Sequence, residues 1–117
     1  MPFNDPTERH LAKLQPRTAA VAVAFINSLR EAGIPAYISS STRTQAEQDA
    51  LVAKGLSRTR NSRHLSGQAF DIDILGYGRD QLPRSWWNAV GEYAEWMGMK
   101  WGGRFTGFYD AGHFEFK

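Results

Sequence analysis

The sequence predicts one α+β domain in which about three helices accompany a few short strands. Three observations carry that expectation. The chain has 117 residues, about the size of one ordinary domain and long enough to bury a core without disulfides. Apolar residues recur at helical spacing in two long segments, and capping chemistry marks a third helix between them. Short stretches near Ala36, Ala69 and the C-terminus instead alternate apolar with polar residues, the period of a half-buried strand. No repeat, linker or low-complexity segment interrupts the chain, so residues 1–117 are read as a single domain.

The first helix follows from Leu14, Val21, Phe25, Leu29 and Ala32, with Gly33 and Pro35 supplying the stop. Ala36 to Ser39 then reads as a strand. Thr44-Gln45-Ala46-Glu47 has capping-box spacing and opens a helix that runs to about Lys54 and closes at Gly55. Leu56 to Arg63 is polar and basic and reads as a loop. From Ala69 to Leu75, Ala69, Asp71 and Asp73 point one way while Phe70, Ile72 and Ile74 point the other. Pro83 and Ser85 introduce a last helix, its stripe drawn through Trp86, Val90, Tyr93 and Met97 and its end at Gly98. Trp101 and His113 to Phe116 supply further strands, with His113 and Glu115 on one face and Phe114 and Phe116 on the other.

Composition narrows the chemistry. With no cysteine, the chain has no disulfide framework, thiolate metal site or cysteine nucleophile, so a metal must be held by His, Asp or Glu. A net charge of +2 is too weak to imply a nucleic-acid partner. The one local basic cluster, Arg58, Arg60 and Arg63, reads as a solvated loop able to attract an anionic surface. The N-terminus lacks the basic start and apolar stretch of a secretory signal, and no apolar run approaches the roughly 20 residues of a membrane span. The expectation is a soluble protein without an export signal.

Within these limits, His64 and Asp71 stand seven positions apart and His113 lies near the C-terminus. Two imidazoles and a carboxylate supply three protein ligands and leave a fourth tetrahedral position for water, as in catalytic zinc sites. Asp110 is the candidate base for that water, and Arg43 the candidate donor to a developing oxyanion. Taken singly, each has an ordinary alternative: His113 as a hydrogen-bonded strand-edge histidine, Asp110 as a turn residue, Arg43 as a surface charge near a helix start. Gly67 reads as a special backbone position and Ser62 as a hydrogen-bonding support. Asp73 and Glu115 face the ligand side as supports or solvated carboxylates, and the four tryptophans read mainly as core and groove wall. His10 has no assigned role.

Four ordered motifs turn these candidates into a pattern. Ser62, His64, Gly67, Ala69 and Asp71 match S-x-H-x-x-G-x-A-x-D, and Asp110, His113, Phe114 and Glu115 match D-x-x-H-F-E. Trp101-Gly102-Gly103 forms a W-G-G element between them, and Ser41-Thr42-Arg43-Thr44 precedes Glu47, Gln48, Leu51 and Gly55 in an E-Q-x-x-L-x-x-x-G helix. In these motifs nearly the whole chain resembles the LAS zinc peptidases that cut peptidoglycan stem peptides, especially VanY-like D-alanyl-D-alanine carboxypeptidases and L-alanyl-D-glutamate endopeptidases. Two departures stand out: Ser41-Thr42 replaces the glycine-aromatic pair usual before the arginine, and Ala111-Gly112 stands where a proline often precedes the histidine.

The resemblance implies a mainly antiparallel sheet with zinc on its open face, held by His64, Asp71 and His113. It implies Asp110 as the catalytic base and Arg43 as the transition-state arginine. The expected activity is L-alanyl-D-glutamate endopeptidase, of the kind found in phage endolysins that reach the wall after synthesis in the cytoplasm, with the chain acting as a monomer on stem peptide. D-alanyl-D-alanine carboxypeptidase is the near alternative, and a non-catalytic module of the same fold is the rival from another class. A basic nucleic-acid binder built on Arg58, Arg60 and Arg63 is a weaker rival, recognisable by affinity that falls steeply with salt.

Overall fold

The computed structural model describes residues 3–42, 44–57 and 63–116. Four helices and four strands follow in the order α1 (Thr7–Leu11), α2 (Pro16–Glu31), β1 (Ala36–Ser40), α3 (Gln45–Ala53), β2 (Ala69–Ile74), α4 (Arg84–Trp96), β3 (Lys100–Trp101) and β4 (His113–Glu115). The strands form one sheet in the order β1-β2-β4-β3, every pair antiparallel. The expected α+β class holds, with α1 as an additional short helix.

Local chemistry explains most boundaries. Pro16 opens α2 at a position whose N–H has no intrahelical partner in any case. Thr44 caps α3 through a capping box: its hydroxyl accepts from the Glu47 N–H while the Glu47 carboxylate accepts from the Thr44 N–H. The first half of the core-facing stripe of α2 lies one position from expectation, since Thr18 and Ala22 are buried while Val21 is half-buried. In α4 the inner stripe is Trp87, Val90, Gly91 and Ala94, and Trp86, Tyr93 and Met97 flank it half-buried. Trp96 is 81% exposed, contrary to the expectation that the tryptophans serve core and groove.

The core lies on the face of the sheet that carries Phe70, Ile72 and Phe114, all fully buried. Phe25 of α2 sits at its centre, 4.9 Å from the Phe114 ring, 6.4 Å from Phe70 and 6.0 Å from Tyr93 of α4. Register then places the site. Phe70 pairs with Phe114 and the next pair along is Asp71 with His113. Because side chains alternate across a strand, the same register that stacks the two phenylalanines in the core sets the carboxylate and imidazole side by side on the opposite face. A slip of one residue would exchange the two pairs between faces.

Beyond β2 on the edge strand β1, the pairing shifts between Ile38 and Ser40, so Ser40 lies opposite Asp71 after an extra residue. The outer edge of β1 is covered by α1: the Thr7 hydroxyl accepts from the Ile38 N–H at 3.0 Å, and Arg30 donates to the Ala36 carbonyl at 2.9 Å. None of the helices among the described residues is long and apolar enough to cross a membrane.

Candidate metal centre and active site

His64 is delivered by a single 3₁₀ turn, Arg63–Ser66, that leads into β2. Gly67 ends the turn with φ +71°, a left-handed conformation that side chains disfavour, and its carbonyl accepts from the Gln15 N–H at 2.9 Å. The Gln15 side chain also donates to the Ser66 carbonyl at 2.8 Å. The link between α1 and α2 therefore clamps the His64 turn from outside.

Three side chains converge from this turn, β2 and β4. His64 Nε2 lies 3.1 Å from Asp71 Oδ1 and 3.2 Å from His113 Nδ1, and His113 Nδ1 lies 3.2 Å from Asp71 Oδ1. All three residues are buried. The other nitrogen of each imidazole is already committed: His64 Nδ1–H donates to the Ser41 carbonyl at 2.6 Å, and His113 Nε2–H donates to Glu115 Oε1 at 3.0 Å. Because a carbonyl accepts only, His64 carries a proton on Nδ1, which leaves Nε2 as the nitrogen that faces the cluster.

This donor set fits a divalent metal. The ligand atoms form a nearly equilateral triangle, and ligands about 2.0 to 2.1 Å from a tetrahedral zinc stand about 3.3 Å apart. Metal-bound histidines commonly give their second N–H to a carbonyl or carboxylate, which fixes ring orientation, and both do so here. Electrostatics agree. Burial pushes the Asp71 carboxyl up, but hydrogen bonds from His113 and His64 and the charges of both rings outweigh it and hold Asp71 well below the usual carboxylate range. Burial disfavours a charged His113, yet its contacts with Asp71 and Glu115 raise it to about 9. In turn the His113 hydrogen bond holds Glu115 below its ordinary value.

The triangle forms the floor of a cleft of about 780 Å³. Leu51, Leu56, Phe105, Phe108 and Tyr109 contribute apolar wall, and Arg63, Arg79, Asp80, Asp110 and Glu115 contribute charge. Asp110 thus opens onto the same cleft as the three predicted ligands. Burial raises its carboxyl above the ordinary value, and the neighbouring Asp71 charge raises it further. Such a carboxyl is suited to exchanging a proton.

The W-G-G element holds Asp110 and His113 in place. Gly102 O accepts from the Asp110 N–H at 3.1 Å, and a Cβ on Gly102 would stand 2.2 Å from the Asp110 carbonyl and 2.9 Å from His113 Cβ. Only glycine permits that approach. Trp101 Nε1 donates to the Ala111 carbonyl at 2.8 Å and ties the loop before His113 to the core.

Arg43, Ser62, Arg58 and Arg60 lie outside the described residues. Several supports were not legible in advance. His10 Nδ1 meets the Ser41 hydroxyl at 2.7 Å, on the residue whose carbonyl orients His64. Arg79 holds both Asp73 and Asp110, which removes Asp73 from the class of freely solvated carboxylates.

Residues 56–116 match the model of an M15 peptidase family described as D-alanyl-D-alanine carboxypeptidase. The chain belongs to this family. A curated relative, the L-alanyl-D-glutamate peptidase of Listeria phage A118, is 32% identical over 108 residues, covering 89% of this chain but 38% of the relative. The chain therefore spans well under half the length of that protein. Among solved structures, the L-Ala D-Glu endopeptidase ChiX of Serratia marcescens superposes with a TM-score of 0.72 at 28% identity, covering 98% of this chain and 89% of ChiX. DacB of Streptococcus pneumoniae D39 shares the fold, with a TM-score of 0.63 at 20% identity over 97% of this chain and 68% of DacB. Membership of an M15 peptidase family agrees with the resemblance drawn from the motifs, and M15 peptidases are metalloenzymes.

Proposed function

We propose that this chain is a zinc-dependent hydrolase of peptidoglycan stem peptides that cleaves the bond between L-alanine and D-glutamate. The observation that carries the proposal is the triangle of His64 Nε2, Asp71 Oδ1 and His113 Nδ1, with the outer nitrogen of each histidine already satisfied. A phage relative and ChiX are both named for action at L-Ala-D-Glu, and they support this bond. The description of the family supports D-alanyl-D-alanine carboxypeptidase as a second reading.

His64, Asp71 and His113 would hold the zinc. Bound there, zinc would supply Lewis acidity and lower the pKa of water to near 7. Asp110 takes the proton of the attacking water and passes it to the leaving amine. Arg43 donates hydrogen bonds to the carbonyl oxygen as negative charge develops on it. Ser41 and Glu115 keep the two rings oriented throughout, and Phe105, with its ring 5.3 Å from His113, narrows the cleft above them.

The enzyme would reach its substrate at the cell wall and act there as a single catalytic domain. Mass spectrometry of purified peptidoglycan digested with the zinc-loaded protein tests the proposal. Fragments with a new D-glutamyl amino terminus support the endopeptidase, and release of D-alanine alone supports the carboxypeptidase. Intact muropeptides at full zinc occupancy leave a non-catalytic module.

A further inference from the structure

We propose that Arg79 is a positioning residue that holds Asp110 in its working orientation, with Asp73 as its anchor; the proposal rests on the reading of Asp110 as the base. Arg79 lies in the 3₁₀ turn Arg79–Gln81, between β2 and α4. Its backbone is pinned from the core, because the buried Trp87 donates its indole N–H to the Arg79 carbonyl at 3.1 Å. The turn is closed by Gln81, whose side-chain oxygen accepts from the Gly78 N–H at 2.6 Å.

From this fixed base the guanidinium reaches two carboxylates. Nε and Nη2 face Asp73 Oδ1 and Oδ2 at 2.9 and 3.5 Å, the forked geometry in which arginine binds a carboxylate. That leaves Nη1 toward Asp110 Oδ1 at 3.4 Å. With Oδ1 engaged, Oδ2 is the Asp110 oxygen left to exchange a proton. Asp73 stands two residues beyond Asp71 on the same face of β2, so one cation is placed among three carboxylates at the cleft wall.

Gly112 makes room for this arrangement. A Cβ at that position would stand 2.6 Å from both Cζ and Nε of Arg79 and 2.7 Å from the Ile72 carbonyl. Glycine at this position leaves the guanidinium the space that a Cβ would take. Lysine could not replace the arginine, since an ammonium lacks the planar fork that binds Asp73 while presenting a third donor to Asp110.

The test is a double-mutant cycle on Arg79→Gln and Asp110→Asn, with zinc content and melting temperature measured on each protein. Arg79→Gln should retain zinc and lower kcat by about 10- to 100-fold, the usual range for residues that orient a reacting group, with KM unchanged. In the Asp110→Asn background the same substitution should have no further effect on kcat, because the group it positions is gone. A raised KM, or a loss that persists in full beside Asp110→Asn, would overturn the proposal and make Arg79 a substrate-binding cation. Should Arg79→Gln fail to fold, Asp73→Asn retains the guanidinium but removes half of its anchor, and should lower kcat in the same direction. NMR of the Arg79 side chain needs no turnover: its Nε–H should exchange slowly with solvent and its guanidinium signals should shift in Asp110→Asn. Parent protein without hydrolysis would remove the functional reading alone, whereas a fast-exchanging side chain indifferent to Asp110→Asn would remove the contact itself.

Discussion

His64 and His113 each make one contact that presents the ring and one that the metal would use, so their substitutions should differ from that of Asp110. His64→Ala and His113→Ala should each lose bound zinc, measured by elemental analysis, and activity with it. Asp110→Asn should retain zinc and fold, yet lose about 10² to 10⁴ in rate, the usual loss with a general base. Arg43→Lys should fold and lose most turnover, because an ammonium does not reproduce the planar donor set of a guanidinium; unchanged kinetics would remove Arg43 from the mechanism. pH supplies another check. In protein stripped of metal by chelation, the His113 pKa lies near 9 against 6.5 for the free side chain, so its contribution to stability is complete below about pH 6.5 and disappears as pH rises through 9. Zinc held by this ring would take the place of that proton, so the zinc-loaded protein should not show this loss in melting temperature across the same range. That His64, Asp71 and His113 come together was legible in sequence because the ordered motifs single out these three residues. Arg79 and Ser41 were not, because their roles come from contacts made only when distant segments fold together: Arg79 reaches Asp110 across 31 positions and Ser41 meets His64 across 23.

Among the elements, α3 was legible from end to end because Thr44, Glu47 and Gly55 are local signals that act within a few residues of themselves. Thr44→Ala should cost about 1 kcal/mol of stability in denaturant unfolding by leaving orphan N–H groups at the start of α3. The short helix α1 was not legible, since Thr7–Leu11 has no apolar periodicity to announce it. Its helical state is tied to tertiary partners: Asp5 and Thr7 meet Arg30, and Thr7 covers the edge of β1. The inner stripe of α4 was displaced because small residues face inward, Gly91 under Trp101 and the buried Ala94, while a hydropathy pattern weights the larger neighbours Tyr93 and Met97. The sheet register has a consequence that reaches the site. Phe114→Ala should cost about 3 to 5 kcal/mol by opening a cavity against Phe25 and Phe70. Because His113 precedes it on β4, weaker zinc retention should accompany the lower melting temperature.

For the molecule as a whole, a core on one face of the sheet and the Asp71–His113 pair on the other follow from a single alternating pattern in β2 and β4. Length and alternation made the α+β class legible, whereas the order β1-β2-β4-β3 turns on the pairing of β2 with β4, in which Asp71 meets His113 42 positions away. The central claim is that the buried triangle hydrolyses stem peptide at the L-alanyl-D-glutamate bond. It is tested most directly by mass spectrometry of purified peptidoglycan treated with zinc-loaded protein, with His113→Ala treated in parallel. The account predicts fragments carrying a new D-glutamyl amino terminus from the parent protein and none from His113→Ala; muropeptides left intact by a fully zinc-occupied parent, or equal cleavage by both proteins, would contradict it.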